Sequence, residues 1–432
     1  MLTHSTRQLT FAFRSCFCQT CGCPPFKAHT LLRPYSIEIP SVVGRTKKTQ
    51  EKQKLEKSRS LQGLTQRNLS AVAGLLKGQY RPLSRFDFLD FGDLEEHTRK
   101  ALACSSLRRF IINPDLAGLI AEKLDKDLSE SHAVIFECNP GPGALTRALL
   151  NAGAQRIVAL ESDKTFLSDL QELKGRLDGQ LDVMYCDFFR LDPISKGLPK
   201  PPIMHSEKLF NNLGIAEVPW IADIPIKVVG MLPQRNERNL LWRLIYALFE
   251  CLSIFRYGRV EMNMFISENE YTKMTAQPGN MRHYQALSVL WQVACDIEVL
   301  HKEPWSSFVT SSKHGGLPKS MLPNDHLCLV RMTPCRNLFS NTLTTSNSAI
   351  FVMMVKQCLA KRKAKLIDRL DSWSPGSGEK LLEQLKLPHD ILTGHVYPEQ
   401  YKHLFEAMEN SEEFTKSWLH DEILENTQKT GF

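Results

Sequence analysis

Glu137, Gly141, Gly143, Glu161 and Asp187 have the types and spacing of a nucleoside-binding site. Residues 132–138 form a short β-branched run that ends in Asn139-Pro140-Gly141-Pro142-Gly143, and residues 144–151 continue with helical spacing. A strand passing through a glycine turn into a helix lets the backbone approach a ligand and offers it the helix's unpaired N–H groups. Glu161 stands 18 residues beyond Gly143, at the end of the next predicted strand. A carboxylate there accepts from both hydroxyls of a ribose. Asp187 closes a third strand, placed to accept from an adenine amino group. A dinucleotide fingerprint would carry a third glycine at position 146, where Thr146 stands, which disfavours a nicotinamide cofactor. The bland alternative is a tight turn with Glu161 and Asp187 as surface acids, and it needs three features to fall in register by chance.

Such a site needs alternating strands and helices to hold it. Residues 156–160, 181–186, 226–229, 260–266 and 297–300 read as strands, and 164–173 and 237–252 as helices. The alternation predicts an α/β fold, a doubly wound Rossmann-like sheet. The Pro-rich stretch 198–220 reads as a long surface insertion. Past Pro334 the strand signals fade, and 349–370, 380–387 and 399–424 read as helices. The expected organisation is a targeting segment over 1–35, a basic flexible linker over 36–97, the α/β domain over 98–335, and a helical domain for nucleic acid or a partner over 336–432.

Of 432 residues, 42% are hydrophobic and 23% charged, the composition of an ordinary globular protein. No apolar run reaches the roughly 18 residues a membrane span needs, so no membrane partner is expected. The net charge of +7 is compatible with a polyanionic partner. The first 37 residues contain no Asp or Glu but carry Arg7, Arg14, Lys27 and Arg33 among apolar residues such as Leu9, Phe11 and Phe13. That is the composition of a mitochondrial transit peptide, with a cut expected between Tyr35 and Ser36. Cys16, Cys18, Cys21 and Cys23 have a spacing that could hold zinc, but they fall inside this segment, and no structural metal is expected. The acidic residues Glu412, Glu413, Asp421, Glu422 and Glu425 read equally as a helix end or a docking tail.

Phe136 through Leu149 is similar to the first motif of the rRNA adenine N6-dimethyltransferases, E-x-G-P-G-x-G-x-L-T, with Asn139 at the first glycine. Asn tolerates positive φ better than most residues. Arg108 to Asn113 resembles the family's Q-N-F-L-x-D segment, with Arg at both the Gln and the Asn positions. Glu268 through Gln292 resembles A-x-P-G-S-x-x-Y-x-x-L-S-V-x-x-Q, and Glu303 to Phe308 matches the next motif in part. The resemblance implies a class I methyltransferase sheet using S-adenosyl-L-methionine, with Ile111, Glu137, Asn139, Gly141, Gly143, Glu161 and Asp187 binding the cofactor.

Methylation of adenine N6 requires the base to be taken out of its stack and held. The family does this with N-L-P-Y/F, whose Asn accepts from the amino group and whose ring stacks on the base. The matching segment is Gly230-Met231-Leu232-Pro233-Gln234. Met231 offers only a weak sulfur acceptor, and Gln234 removes a stack worth about 1–3 kcal/mol. No intact catalytic residue is expected. The altered segment, the transit-like N-terminus and Cys186-Asp187-Phe188-Phe189 resemble a mitochondrial branch of the family, the second of its two paralogues, reused in transcription initiation. That resemblance implies the matrix nucleoid as location. It also implies mitochondrial RNA polymerase, mitochondrial transcription factor A and promoter DNA as partners. The competing reading is an active S-adenosylmethionine-dependent dimethyltransferase acting on two adjacent adenosines of mitochondrial small-subunit rRNA. Lys356, Lys361, Arg362, Lys363, Lys365 and Arg369 cluster on one predicted helix. Such a cluster is a phosphate-binding face or a solvated one. Lys361 and Arg362 resemble a basic pair that relatives use on DNA, and Arg108 and Arg109 are further candidates beside the substrate groove.

Overall fold

The computed structural model describes residues 88–124, 128, 132–193, 199–311 and 326–414. The expected transit peptide, the four-cysteine cluster, the linker up to residue 87 and the acidic tail from residue 415 lie outside them. The described strands are β1 (Arg109–Phe110), β2 (Val134–Cys138), β3 (Ile157–Glu161), β4 (Leu181–Tyr185) and β5 (Ile226–Met231). They continue with β6 (Val260–Ser267), β7 (Cys295–Pro304), β8 (Val309–Thr310) and β9 (His326–Pro334). Seven of them form one sheet in the order β4-β3-β2-β5-β6-β9-β7, while β1 pairs with β8. β4 through β6 run parallel, and β9 is antiparallel to both β6 and β7.

Period-two alternation sends successive side chains to opposite faces of this sheet. Ile135, Ile157, Ala159, Val229, Phe265 and Leu329 point into one apolar cluster. Phe136, Val158, Leu160, Val228, Met264 and Val330 point into the other. The first face is covered by α2 (Pro114–Leu124) and α3 (Ala144–Asn151), which follow α1 (Leu94–Ala103). Between β3 and β4 runs α4 (Lys164–Gly175), and α5 (Ser206–Leu213), α6 (Glu237–Phe249), α7 (Glu268–Met274) and α8 (Ala286–Ala294) follow in order. Helices on both faces of a largely parallel sheet make this the Rossmann-like α/β fold that the alternation predicts.

Three local expectations are corrected. The stretch 198–220 is no surface insertion: within it, α5 buries Leu209 and Phe210 completely, and Phe210 stacks on Tyr257 at 3.6 Å. The flanking prolines hide a short amphipathic helix at the sequence level. Leu89, within the stretch assigned to the linker, is buried, and its backbone is held from both sides by the Asn151 amide at 2.7 and 3.0 Å. The single helix expected over 349–370 is two, α9 (Ser348–Ala360) and α10 (Leu366–Trp373), followed by α11 (Ser377–Gln384) and α12 (Pro398–Glu409). The break is imposed from outside the helix. The carbonyls of Lys361, Arg362 and Ala364 accept from Thr393 Oγ1, Gly394 N and Thr393 N, each at 2.9 Å. Ala, Lys and Arg favour helix, but tertiary hydrogen bonds override propensity here. One apolar cluster runs from the sheet through Trp291 of α8 to Phe351, Tyr401 and Phe405 of the C-terminal helices.

Candidate cofactor site

The strand order reverses between β2 and β5, the place where open α/β sheets bind nucleotides beyond their carboxyl ends. The ends of β2, β3, β4 and β5 deliver Glu137, Glu161, Asp187 and Met231 to this one edge. In the turn after β2, Asn139, Gly141 and Gly143 all have left-handed φ, at 55°, 60° and 80°. Asn139 thus occupies the conformation argued for it. Its amide donates to Leu160 O at 2.8 Å, and its Oδ1 accepts from Ser162 Oγ at 2.7 Å. Gly141 also has a steric reason, because a Cβ there would lie 2.6 Å from Cδ1 of Phe110.

Glu137 is buried, and its Oε2 accepts from Thr146 Oγ1 at 2.6 Å. Burial pushes its carboxyl from an ordinary 4.5 up to about 7, with the Thr146 hydrogen bond opposing and the Glu161 charge assisting. Asp187 caps the short turn Phe188–Arg190, accepting from Phe189 N at 3.1 Å, and burial raises its pKa as well. Ile111 is buried in the cluster beside Leu116 and Leu145 and lines the adjoining cavity.

Glu161 already has a partner. Its carboxylate is fully buried and receives Arg108 Nη1 at 2.6 Å on Oε1 and Arg108 Nη2 at 3.1 Å on Oε2. Asp163 N at 2.7 Å and Gly141 N at 2.9 Å complete its shell. Four donors fill the roughly four lone-pair positions of a carboxylate. As arranged, these residues do not fit a cofactor ribose, whose hydroxyls find no free acceptor on Glu161. Arg108 is fixed in turn: its amide donates to Ser311 Oγ at 3.1 Å, and its carbonyl accepts from Ser311 N at 3.0 Å, next to the β1–β8 pairing. Sequence reasoning noted Arg108 as a departure from the family's Gln and missed the pair. The available signal was a buried strand-end acid that requires a cation nearby.

A cavity beside this pair is lined by Arg108 to Ile111, Glu137 to Pro140 and Gly230 to Pro233. β5 ends at half-buried Met231, followed by buried Leu232 and exposed Pro233. Gly230 permits the close β2–β5 approach, since a Cβ there would lie 2.7 Å from Cys138 Cβ. Among the described residues, the aromatic side chains lining this cavity, Phe110 and Phe265, are 2% and 1% exposed. They pack on Phe166 and Phe308, so neither offers an open face on which a base could stack.

A sequence-family profile described as "Ribosomal RNA adenine dimethylase" matches residues 105–410. The chain belongs to that family. It is 46% identical over 341 residues to the human "Dimethyladenosine transferase 2, mitochondrial", covering 77% of this chain and 86% of that one. The rat protein of the same name is 47% identical over 311 residues, covering 70% and 78%. These names carry the second-paralogue designation that the sequence resemblance implies. Among solved structures, a dimethyladenosine transferase from Plasmodium falciparum matches with a TM-score of 0.45 at 15% identity, covering 68% of this chain and 94% of that one.

In this dimethylase-family chain the basic cluster is divided. Lys356 lies on α9, where its Nζ is 3.0 Å from Tyr246 Oη and 5.7 Å from the Trp242 ring centroid. Lys361, Lys363 and Lys365 are exposed in the turn between α9 and α10. Arg362, half-buried beside them, donates from Nη1 to Tyr284 O at 3.1 Å and Arg282 O at 3.3 Å. One Arg362 nitrogen therefore ties the turn to the loop before α8.

Proposed function

We propose that this dimethylase-family chain acts in mitochondrial transcription initiation and has weak or lost methyl transfer. In this reading it works with mitochondrial RNA polymerase and mitochondrial transcription factor A to open promoter DNA in the matrix nucleoid. The observation that carries it is the end of β5, where Met231 stands at the amide position and, among the described residues, no lining aromatic has an open face for the target base. Without that acceptor and that stack, the adenine nitrogen is not held for transfer, which costs rate through lost positioning. The pocket for S-adenosyl-L-methionine is then vestigial. The relatives' names and the acid-free N-terminus support the mitochondrial location.

The test is an assay pair on the chain lacking residues 1–35: labelled methyl transfer to a small-subunit rRNA hairpin, and promoter-dependent transcription with mitochondrial RNA polymerase. The expected result is stimulated transcription with transfer near background. Robust transfer without stimulation would instead establish the active enzyme and overturn the proposal.

The exposed turn supplies the phosphate contacts in this reading, through Lys361 and the remaining donors of Arg362. Lys361→Glu with Lys363→Glu leaves the Arg362 carbonyl bonds in place. This pair is expected to weaken binding to melted promoter DNA roughly tenfold at physiological salt. It should also lower the slope of log affinity against log salt by roughly 0.7 per lost single-strand contact. Fluorescence anisotropy across a salt series measures both. An unchanged affinity and slope would remove the turn from the interface.

A further inference from the structure

We infer that Arg108 is an internal stand-in for a cofactor ribose, so that this chain keeps a latent adenosyl site which its own guanidinium closes. A guanidinium edge and a vicinal diol both present two neighbouring donors, and a carboxylate accepts either in the same two-point way. Here the edge is Nη1 and Nη2 of Arg108 on the two oxygens of Glu161, at 2.6 and 3.1 Å. The fit extends beyond the ion pair. Nη2 also donates to Asn139 O at 2.9 Å, in the glycine turn itself. The guanidinium carbon lies 4.8 Å from the Phe110 ring centroid and 5.7 Å from that of Phe166, within the range of cation–π attraction. The backbone of Arg108 is pinned at both its amide and its carbonyl by Ser311.

Removing the guanidinium leaves the rest of the site in place. Gly141 N and Asp163 N still hold Glu161, one on each oxygen, and one lone-pair position per oxygen is released. Those two positions are what a ribose diol requires. The chemistry that fits is therefore an adenosyl ligand: S-adenosylmethionine, or S-adenosylhomocysteine, which carries no transferable methyl. A ligand approaching the wild-type chain must first break two charge-assisted hydrogen bonds and leave a cation without its partner, a cost set against its affinity. This inference concerns the pocket alone and does not depend on the promoter role, whose readout is transcription.

The experiment is calorimetric titration of the folded chain with S-adenosylhomocysteine, comparing wild type, Arg108→Gln, Arg108→Ala, and Arg108→Gln combined with Glu161→Gln. Arg108→Gln is expected to bind about tenfold tighter than wild type or better, and to gain thermal stability on adding ligand where wild type gains little. The double variant is expected to lose that gain, because the acceptor pair is gone. Should Arg108→Ala fail to fold with Glu161 left uncompensated, Arg108→Gln decides the matter, since its neutral amide can donate to Glu161 in the empty site and yield that position to a ligand without stranding a charge. Wild type binding as tightly as Arg108→Gln, or a gain that survives Glu161→Gln, overturns the inference.

Discussion

Replacing Arg108 by Ala is expected to lower the unfolding free energy by about 3–5 kcal/mol at neutral pH, the range for breaking a buried ion pair from one side. The Glu161 side chain is 0% exposed and that of Arg108 only 11%, so in the intact chain the two charges are compensated by each other and not by bulk water. Two backbone donors remain on the carboxylate, but they cannot neutralise it. Replacing both residues at once, Arg108→Met with Glu161→Met, is expected to recover most of the loss, because apolar substitutes for a buried pair are often neutral or stabilising. Urea unfolding of Arg108→Met, Glu161→Met and the double variant gives the cycle, with Arg108→Ala measured beside them. A single variant within about 1 kcal/mol of wild type would mean that solvent reaches Glu161 and the pair does not hold it. The pair joins the end of β3 to the segment entering β1, whose backbone Ser311 holds independently, so the cost falls on the uncompensated charge and not on the frame of the pocket.

How much of this was legible in the sequence differs from residue to residue. The β2 turn was legible because glycine and asparagine at positive φ report backbone shape directly, and Asn139 sits at 55° as its type suggests. The sheet followed from apolar runs alternating with helical spacing, and the family from Glu268 to Gln292, whose residues carry no general cofactor chemistry. Arg108 was visible as an oddity only. Its partner is 53 residues away, and no local pattern specifies which strand-end acid a guanidinium will reach. The helix break after Ala360 was hidden for a similar reason, because its cause is Thr393 and Gly394, about 30 residues on. Helix α5 was lost between prolines whose turn signals outweighed three apolar residues. Local conformation was written locally, and tertiary pairing was not.

The Glu137 carboxyl should make stability depend on pH in the sense opposite to an exposed acid. Burial raises its folded pKa to about 7 from the ordinary 4.5 of an unfolded chain. Below about 4.5 both states hold the proton, and the group contributes nothing to the slope. Between 4.5 and 7 the folded state keeps a proton that the unfolded state has released, so stability falls as pH rises through this window. Above 7 both forms are ionised and the penalty is complete, at about 3 kcal/mol by the usual conversion of about 1.4 kcal/mol per pH unit. Glu137→Gln keeps an oxygen to accept from Thr146 Oγ1 and removes the titration. The variant should therefore lie close to wild type at pH 5 and be more stable by about 2–3 kcal/mol at pH 8. Comparing variant with wild type at each pH cancels the other titrating groups, Glu250 among them, whose burial also raises it to about 7. A difference that stays flat from pH 5 to 8 would mean that Glu137 is solvated or paired in the folded chain. A rising difference would mean that the pocket floor holds a neutral acid below pH 7 and an unpaired charge above it. The neutral form can donate as well as accept, which gives a molecule entering the cavity a pH-dependent partner beside Asn139 and Met231.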